Sequence, residues 1–124
     1  MDKLTFDRLA EGLLFMSETD APLTYYEMAG EAVQHWPPST AVQFGELIGD
    51  ENKLVESIAP EEFFRKLRVG NETRLDQIKE FQKEILEELE DVRCYRVGEI
   101  RIDIYLLGRD DSKVCGLQTL SVET

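Results

Sequence analysis

Apolar positions along this chain recur with two periods, and the change from one to the other falls near residue 91. From about Glu72 to Glu90, Leu75, Ile78, Phe81, Ile85 and Leu89 form a stripe at helical spacing, with Leu86 beside it and Asn71 placed to cap the helix. After that the period becomes two. A strand over Val92–Val97 leads into Gly98-Glu99, and Ile100, Ile102, Ile104 and Leu106 then alternate with Arg101, Asp103, Tyr105 and Leu107. Glycine at the first central position suits a type II′ hairpin turn, which places Tyr95 and Val97 on the same face as Ile100 and Ile102. A glycine bulge in one longer strand fits the same residues. Gly108 to Lys113 is the second turn, and Val114–Val122 is a last strand. These strands predict an antiparallel meander that helices must cover.

The first seventy residues are more broken. Asp2 can cap a helix running to about Glu11, with Leu4, Phe6 and Leu9 facing inward, and Gly12 ends it. Leu13-Leu14-Phe15-Met16 is a short apolar run that reads as a buried segment, followed at once by the polar Ser17-Glu18-Thr19-Asp20. Pro22–Met28 reads as a strand rich in aromatics. His35-Trp36-Pro37-Pro38 is a loop, because proline disfavours helix at the residue before it. Ser39 or Thr40 caps a short helix through Leu47 that ends near Gly49. Leu54–Ile58 is a brief strand or an extended link, and Pro60 opens a helix holding Glu61, Glu62, Phe63 and Phe64, with its acids near the N-terminus. No repeat, linker or low-complexity tract interrupts residues 1–124, which read as one α+β domain.

Composition narrows the function. At 124 residues and 42% hydrophobic content the chain can form a core without disulfide or metal staples. The net charge of −12 speaks against direct contact with nucleic acid, which needs clustered Lys and Arg. It favours a cationic partner, such as a protein with a basic groove, with solubility the plainer use of the same charge. Residues 71–91 alone hold eight acids against three bases, a local net of −5, either a solvated outer face or a binding face. Cys94 and Cys115 fall inside strands and read as small buried hydrophobes. With no signal-peptide pattern at Met1-Asp2-Lys3, the expected setting is the reducing cytoplasm. No stretch is apolar enough to span a membrane.

Catalytic chemistry finds little support. The single histidine, His35, stands in a loop beside Trp36, and no Walker-type loop, dinucleotide fingerprint or metal-ligand spacing occurs. The chain is therefore expected to be no enzyme and to carry no cofactor of its own. Two acidic groups remain. Ser17-Glu18 projects from the end of an apolar run whose anchoring fixes where Glu18 points, which lowers the ordering entropy lost on binding. Glu123-Thr124 ends an apparent strand, so the two side chains and the terminal carboxylate should be held in place. Oxygen ligands of this kind suit a hard cation such as Mg²⁺.

The run Gly12-Leu13-Leu14-Phe15-Met16-Ser17-Glu18 and the terminal YRVGEIRIDIYLLG…GLQTLSVET resemble the nuclease A inhibitor family. The segment around Phe63-Phe64 (FFRKL) and Phe81-Gln82-Lys83 extend the likeness. The resemblance implies a three-layer α/β/α sandwich of the type seen in plant pathogenesis-related protein one, ending in the antiparallel meander. It also implies inhibition of a sugar-non-specific, metal-dependent ββα endonuclease, by a protein that is monomeric alone and binds 1:1. Glu18 matches the family's glutamate that mimics the scissile phosphate. Thr124 matches the C-terminal threonine whose hydroxyl caps the nuclease's Mg²⁺. The family carries an Asp-Trp pair at a second contact site, and Arg68-Val69 stands there in this chain. That departure leaves room for an alternative, an acidic interaction domain of the same fold that binds a non-nuclease partner.

Overall fold

The computed structural model describes residues 1–28 and 30–124, apart from the side chain of Glu31. Its elements run α1 (Lys3–Ala10), β1 (Leu14–Met16), β2 (Asp20–Pro22), β3 (Thr24–Glu27), a 3₁₀ turn (Gly30–His35), α2 (Ala41–Leu47), β4 (Val55–Ile58) and α3 (Pro60–Arg68). A second 3₁₀ turn (Glu72–Arg74), α4 (Leu75–Glu88), β5 (Glu90–Val97), β6 (Arg101–Arg109) and β7 (Val114–Val122) complete the chain. It is an α+β protein. Strands β3-β7-β6-β5-β4 form one antiparallel sheet in that order, and β1 with β2 makes a separate hairpin.

Local chemistry sets the helix limits. The Asp2 carboxylate accepts from Thr5 N at 2.8 Å and the Thr40 hydroxyl from Gln43 N at 3.2 Å, each satisfying an otherwise unpaired donor of the first turn. Pro60 starts α3, where its missing N–H loses no bond, and Glu61 and Glu62 follow it. Two expectations are corrected here. Leu4 is 83% exposed, not inward-facing. At 3.6 residues per turn it lies about 200° around the helix from Phe6, which with Ala10 takes the buried face. The Asn71 side chain makes no N-cap bond to α4 or to the 3₁₀ turn before it: its amide is buried and donates to Leu14 O and Leu67 O, both at 2.7 Å. It uses its donors on carbonyls of β1 and of the last turn of α3.

The sheet is apolar on both faces. Ile104 and Leu106 with Cys94, Cys115 and Leu117 join Phe6, Phe63, Phe64, Leu67, Ile78, Phe81 and Ile85 in one cluster. Tyr95, Val97, Tyr105, Leu107 and Val114 join Met28, Trp36 and Phe44 in a second. The Ile104–Leu107 run of β6 is the sequence consequence, since a strand covered on both sides has no solvent face to alternate with. Each fully buried phenylalanine stabilises the fold by about 1.5–3 kcal/mol through area removed from water.

Three strand expectations also change. Tyr95 pairs with Tyr105 and Val97 with Asp103, so the turn is longer than two residues. The odd shift in register puts Tyr95 and Val97 on the face opposite Ile102, and leaves Ile100 exposed. Pro22–Met28 is not one strand but two: β2 ends at Pro22 to pair with β1, and β3 begins at Thr24 to pair with β7. Leu13–Met16 is not uniformly buried. Phe15 points inward while Met16 is 37% exposed, the alternation expected of a strand in a hairpin laid over a core.

Candidate interface site

The β1–β2 hairpin is a rigid mount. Phe15 stacks on Phe63 of α3 with ring centroids 5.5 Å apart and planes 8° from parallel. The Asn71 amide holds Leu14 O from below, and Gly70 packs directly under Met16. The turn at the hairpin tip is then fixed by Ser17. Its hydroxyl donates to Thr19 O and accepts from Val122 N, each at 3.0 Å, and its own N–H also donates to Thr19 O at 3.0 Å. Glu18 N donates to Val122 O at 3.3 Å. A three-residue tip is thus stitched to the last strand of the main sheet.

The same strand delivers the terminal residues. Glu123 N donates to Ile100 O at 2.8 Å. The Glu123 carboxylate accepts from Arg96 Nη2 at 2.7 and 2.8 Å, and from the Ser121 hydroxyl at 2.7 Å. The Arg96 guanidinium holds that carboxyl below its usual range, outweighing the opposing effect of burial, and the Ser121 hydroxyl adds a smaller lowering. Beyond this anchor the Thr124 hydroxyl lies 2.7 Å from Glu18 Oε1, across 106 residues of sequence. An ionised carboxylate only accepts, so the hydroxyl donates and its oxygen keeps lone pairs for another partner. Both side chains are exposed.

The structure therefore brings Ser17, Glu18, Glu123 and Thr124 together, but not in equal roles. Glu18 and Thr124 present atoms outward, whereas Ser17 and Glu123 spend theirs inside the protein. Arg68 and Val69 stand at the end of α3, joined to this group through Gly70 and Met16, and Val69 is 62% exposed. Sequence reasoning missed Arg96. Its sequence carried no local signal, because its partners Glu56 and Glu123 are set by the order of the strands in the sheet.

The remaining chemistry stands apart. An open depression of about 560 Å³ holds His35 together with Trp36, Ser39, Gln43 and Glu46. Cys94 and Cys115 lie in the core cluster on the other face of the sheet from Trp36, beyond the reach of that imidazole. Trp36 is buried and its indole N–H donates to Asp91 O at 2.9 Å, so it serves the core and not an interface. Among the described residues no group of three or more His, Cys, Asp or Glu is arranged to hold a metal ion, and no helix is long and apolar enough to cross a membrane.

The family model of the nuclease A inhibitor-like protein matches residues 3–124, nearly the whole chain. The chain belongs to the nuclease A inhibitor-like family. Membership implies a nuclease as partner and inhibition as the general role, which suggests a non-enzymatic protein. A search of curated proteins gives no match. Within the matched span the fold stitches segments 12–18 and 95–124 together at Ser17 and Val122. Beside them, at the end of α3, Arg68-Val69 presents a cation and an aliphatic side chain.

Proposed function

We propose that this protein inhibits a sugar-non-specific, metal-dependent ββα endonuclease by plugging its active site with Glu18 and Thr124. The observation that carries the reading is the 2.7 Å bond between Thr124 Oγ1 and Glu18 Oε1. It joins the two exposed oxygen groups into one unit held at the tip of a rigid mount. Glu18 Oε2 is left to accept from the Arg or Lys side chains of a phosphate site, as a carboxylate can in place of phosphate. Thr124 Oγ1 already gives its proton to Glu18, so its lone pairs face outward and fit a hard cation that binds oxygen. That cation is the nuclease's Mg²⁺ and supplies Lewis acidity to the nuclease's own reaction; the inhibitor brings none. Occupying the positions of substrate phosphate and metal-bound water excludes both reactants.

The wider reading is a 1:1 complex with a protein that is monomeric when free. The reduced, buried cysteines suit a cytoplasmic setting. Helices packed against an apolar cluster on each face of the sheet support the three-layer arrangement of the plant pathogenesis-related protein one type.

Titration of a ββα-metal nuclease with the inhibitor tests the plug. Removing Thr124 takes away the cation ligand, and Glu18→Gln removes the charge that stands for phosphate. Each should cost about 2 kcal/mol or more, a roughly thirty-fold rise in Kd, with the thermal midpoint unchanged. Unaltered inhibition by the shortened protein eliminates the metal-capping role, and unaltered inhibition by Glu18→Gln eliminates the phosphate mimic. A second reading, an acidic interaction domain with a non-nuclease partner, is favoured by one feature, the exposed Val69 beside Arg68. Affinity capture separates the two, because the plug requires the recovered partner to cut nucleic acid.

A further inference from the structure

We infer that Arg96 is a positioning residue for the plug: it latches the chain end through Glu123, so that Thr124 meets Glu18 before any partner arrives. The inference rests on the plug reading proposed above. Thr124 lies past the end of β7 at Val122, outside the ladder that restrains the strand. Here the restraint is moved to the residue before it. Arg96 is only 12% exposed and bonds both oxygens of Glu123 from Nη2, while its Nε lies 3.2 Å from Glu56 Oε1 in an ion pair. Glu56 is the direct cross-strand neighbour of Arg96, so the guanidinium is fixed from the β4 side and offers its remaining edge to the terminus. Ser121 Oγ and Ile100 O take the other side of Glu123. Beyond this clamp only the backbone and side-chain torsions of Thr124 itself remain, and its hydroxyl closes on Glu18.

An arginine is the residue this position calls for. Its planar fork serves two carboxylates at once in fixed directions, where an ammonium would act as a point charge on a flexible stem. Arg96 therefore does not belong to the surface that enters the nuclease. It acts by removing, in the free protein, the ordering that binding would otherwise have to impose on the chain end.

The test has two readouts on Arg96→Gln, alongside Arg96→Lys. In the free protein, backbone ¹⁵N heteronuclear NOEs report terminal order without any partner. The latch requires the value at Thr124 to fall toward that of a frayed terminus in Arg96→Gln, with Val114–Leu120 unchanged and partial recovery in Arg96→Lys. Thr124 remaining as ordered as in the parent overturns the inference, whatever the nuclease does. The second readout is the inhibition constant against a ββα-metal endonuclease in a cycle with Thr124 deletion. Arg96→Gln should weaken the intact protein roughly ten-fold, the ordering loss of one or two side chains, and should barely change the protein lacking Thr124. Equal losses in both backgrounds overturn the latch, since they show Arg96 acting independently of Thr124. Were deletion of Thr124 itself without effect, the metal-capping half of the plug reading would fall, and the NOE result would still decide the latch.

Discussion

At the scale of single residues, the site is built from close approaches that tolerate little change, and Gly70 is the clearest. Its φ is +87°, and a Cβ there would overlap the sulfur and Cγ of Met16. Left-handed backbone without glycine costs of order 1–3 kcal/mol, and the overlap adds to it unless Met16 moves. Gly70→Ala is therefore expected to lower stability by about 2 kcal/mol. Combining it with Met16→Ala should return the part due to overlap and leave the part due to φ. Chemical denaturation of the two single variants and the double measures this, and strict additivity would show that the contact with Met16 carries no share of the cost. The same residue explains why Arg68-Val69 is placed as it is: the turn must pass beneath Met16 before α4 can begin.

Between elements, the hairpin and α3 are joined by Asn71 as much as by packing. Removing the amide in Asn71→Ala leaves Leu14 O and Leu67 O without this donor in a buried place, a loss of about 1–3 kcal/mol. Hydrogen exchange should show faster opening in β1 and the last turn of α3 than in β6, because only the first two share that donor; uniform acceleration would mean that the amide supports the whole fold equally. Asn71 also marks the limit of what periodicity reveals. From the stripe at Ile78, Phe81 and Ile85 the helix α4 was legible, as was β7 from Val114 to Val122, and Pro60 gave the start of α3. An asparagine before a helix reads as a cap, and only the fold shows that two carbonyls from elsewhere claim it. Faces were harder to read than elements. Tyr95 and Val97 fall on the side opposite the one a two-residue turn predicts, because a turn longer by an odd number of residues inverts every side chain after it. In the site, the segments of Glu18 and Thr124 were legible by resemblance, while their mutual bond spans 106 residues and has no local signature. Glu123 reads from the sequence as held in place by the last strand, while its engagement with Arg96 depends on sheet order.

For the molecule as a whole, charge and burial set the conditions under which it persists and meets a partner. Burial pushes the Cys94 thiol up to about 12 from an ordinary 9.0, and it also raises Tyr25, Tyr95 and Tyr105. These groups keep their protons in the folded state after the unfolded chain has lost them. Their stability is complete below the unfolded value and is lost as pH rises through the folded one. Thermal midpoints should therefore fall progressively above about pH 9, where the unfolded thiol begins to ionise. A flat profile to about pH 11 would contradict the burial of Cys94. Acid works on the other side: Glu123, held below its usual range by Arg96, contributes above the ordinary carboxylate value and is lost as pH falls through its folded one. Near neutrality neither loss operates and the net charge of −12 is fully expressed. A field of that size acts over about a Debye length, roughly 8 Å at physiological salt, and under the proposed function it would draw in a basic cleft before contact. In the plug proposed above, the bonds of Glu18 would form in a water-poor site and be screened far less. Raising salt from about 50 to about 500 mM should therefore slow association with the nuclease by ten-fold or more and change dissociation little. Stopped-flow association and a chase of the complex separate the two rates. A salt effect confined to dissociation would place the important charges inside the seated interface, and the acidity of the outer surface would then have no part in finding the enzyme.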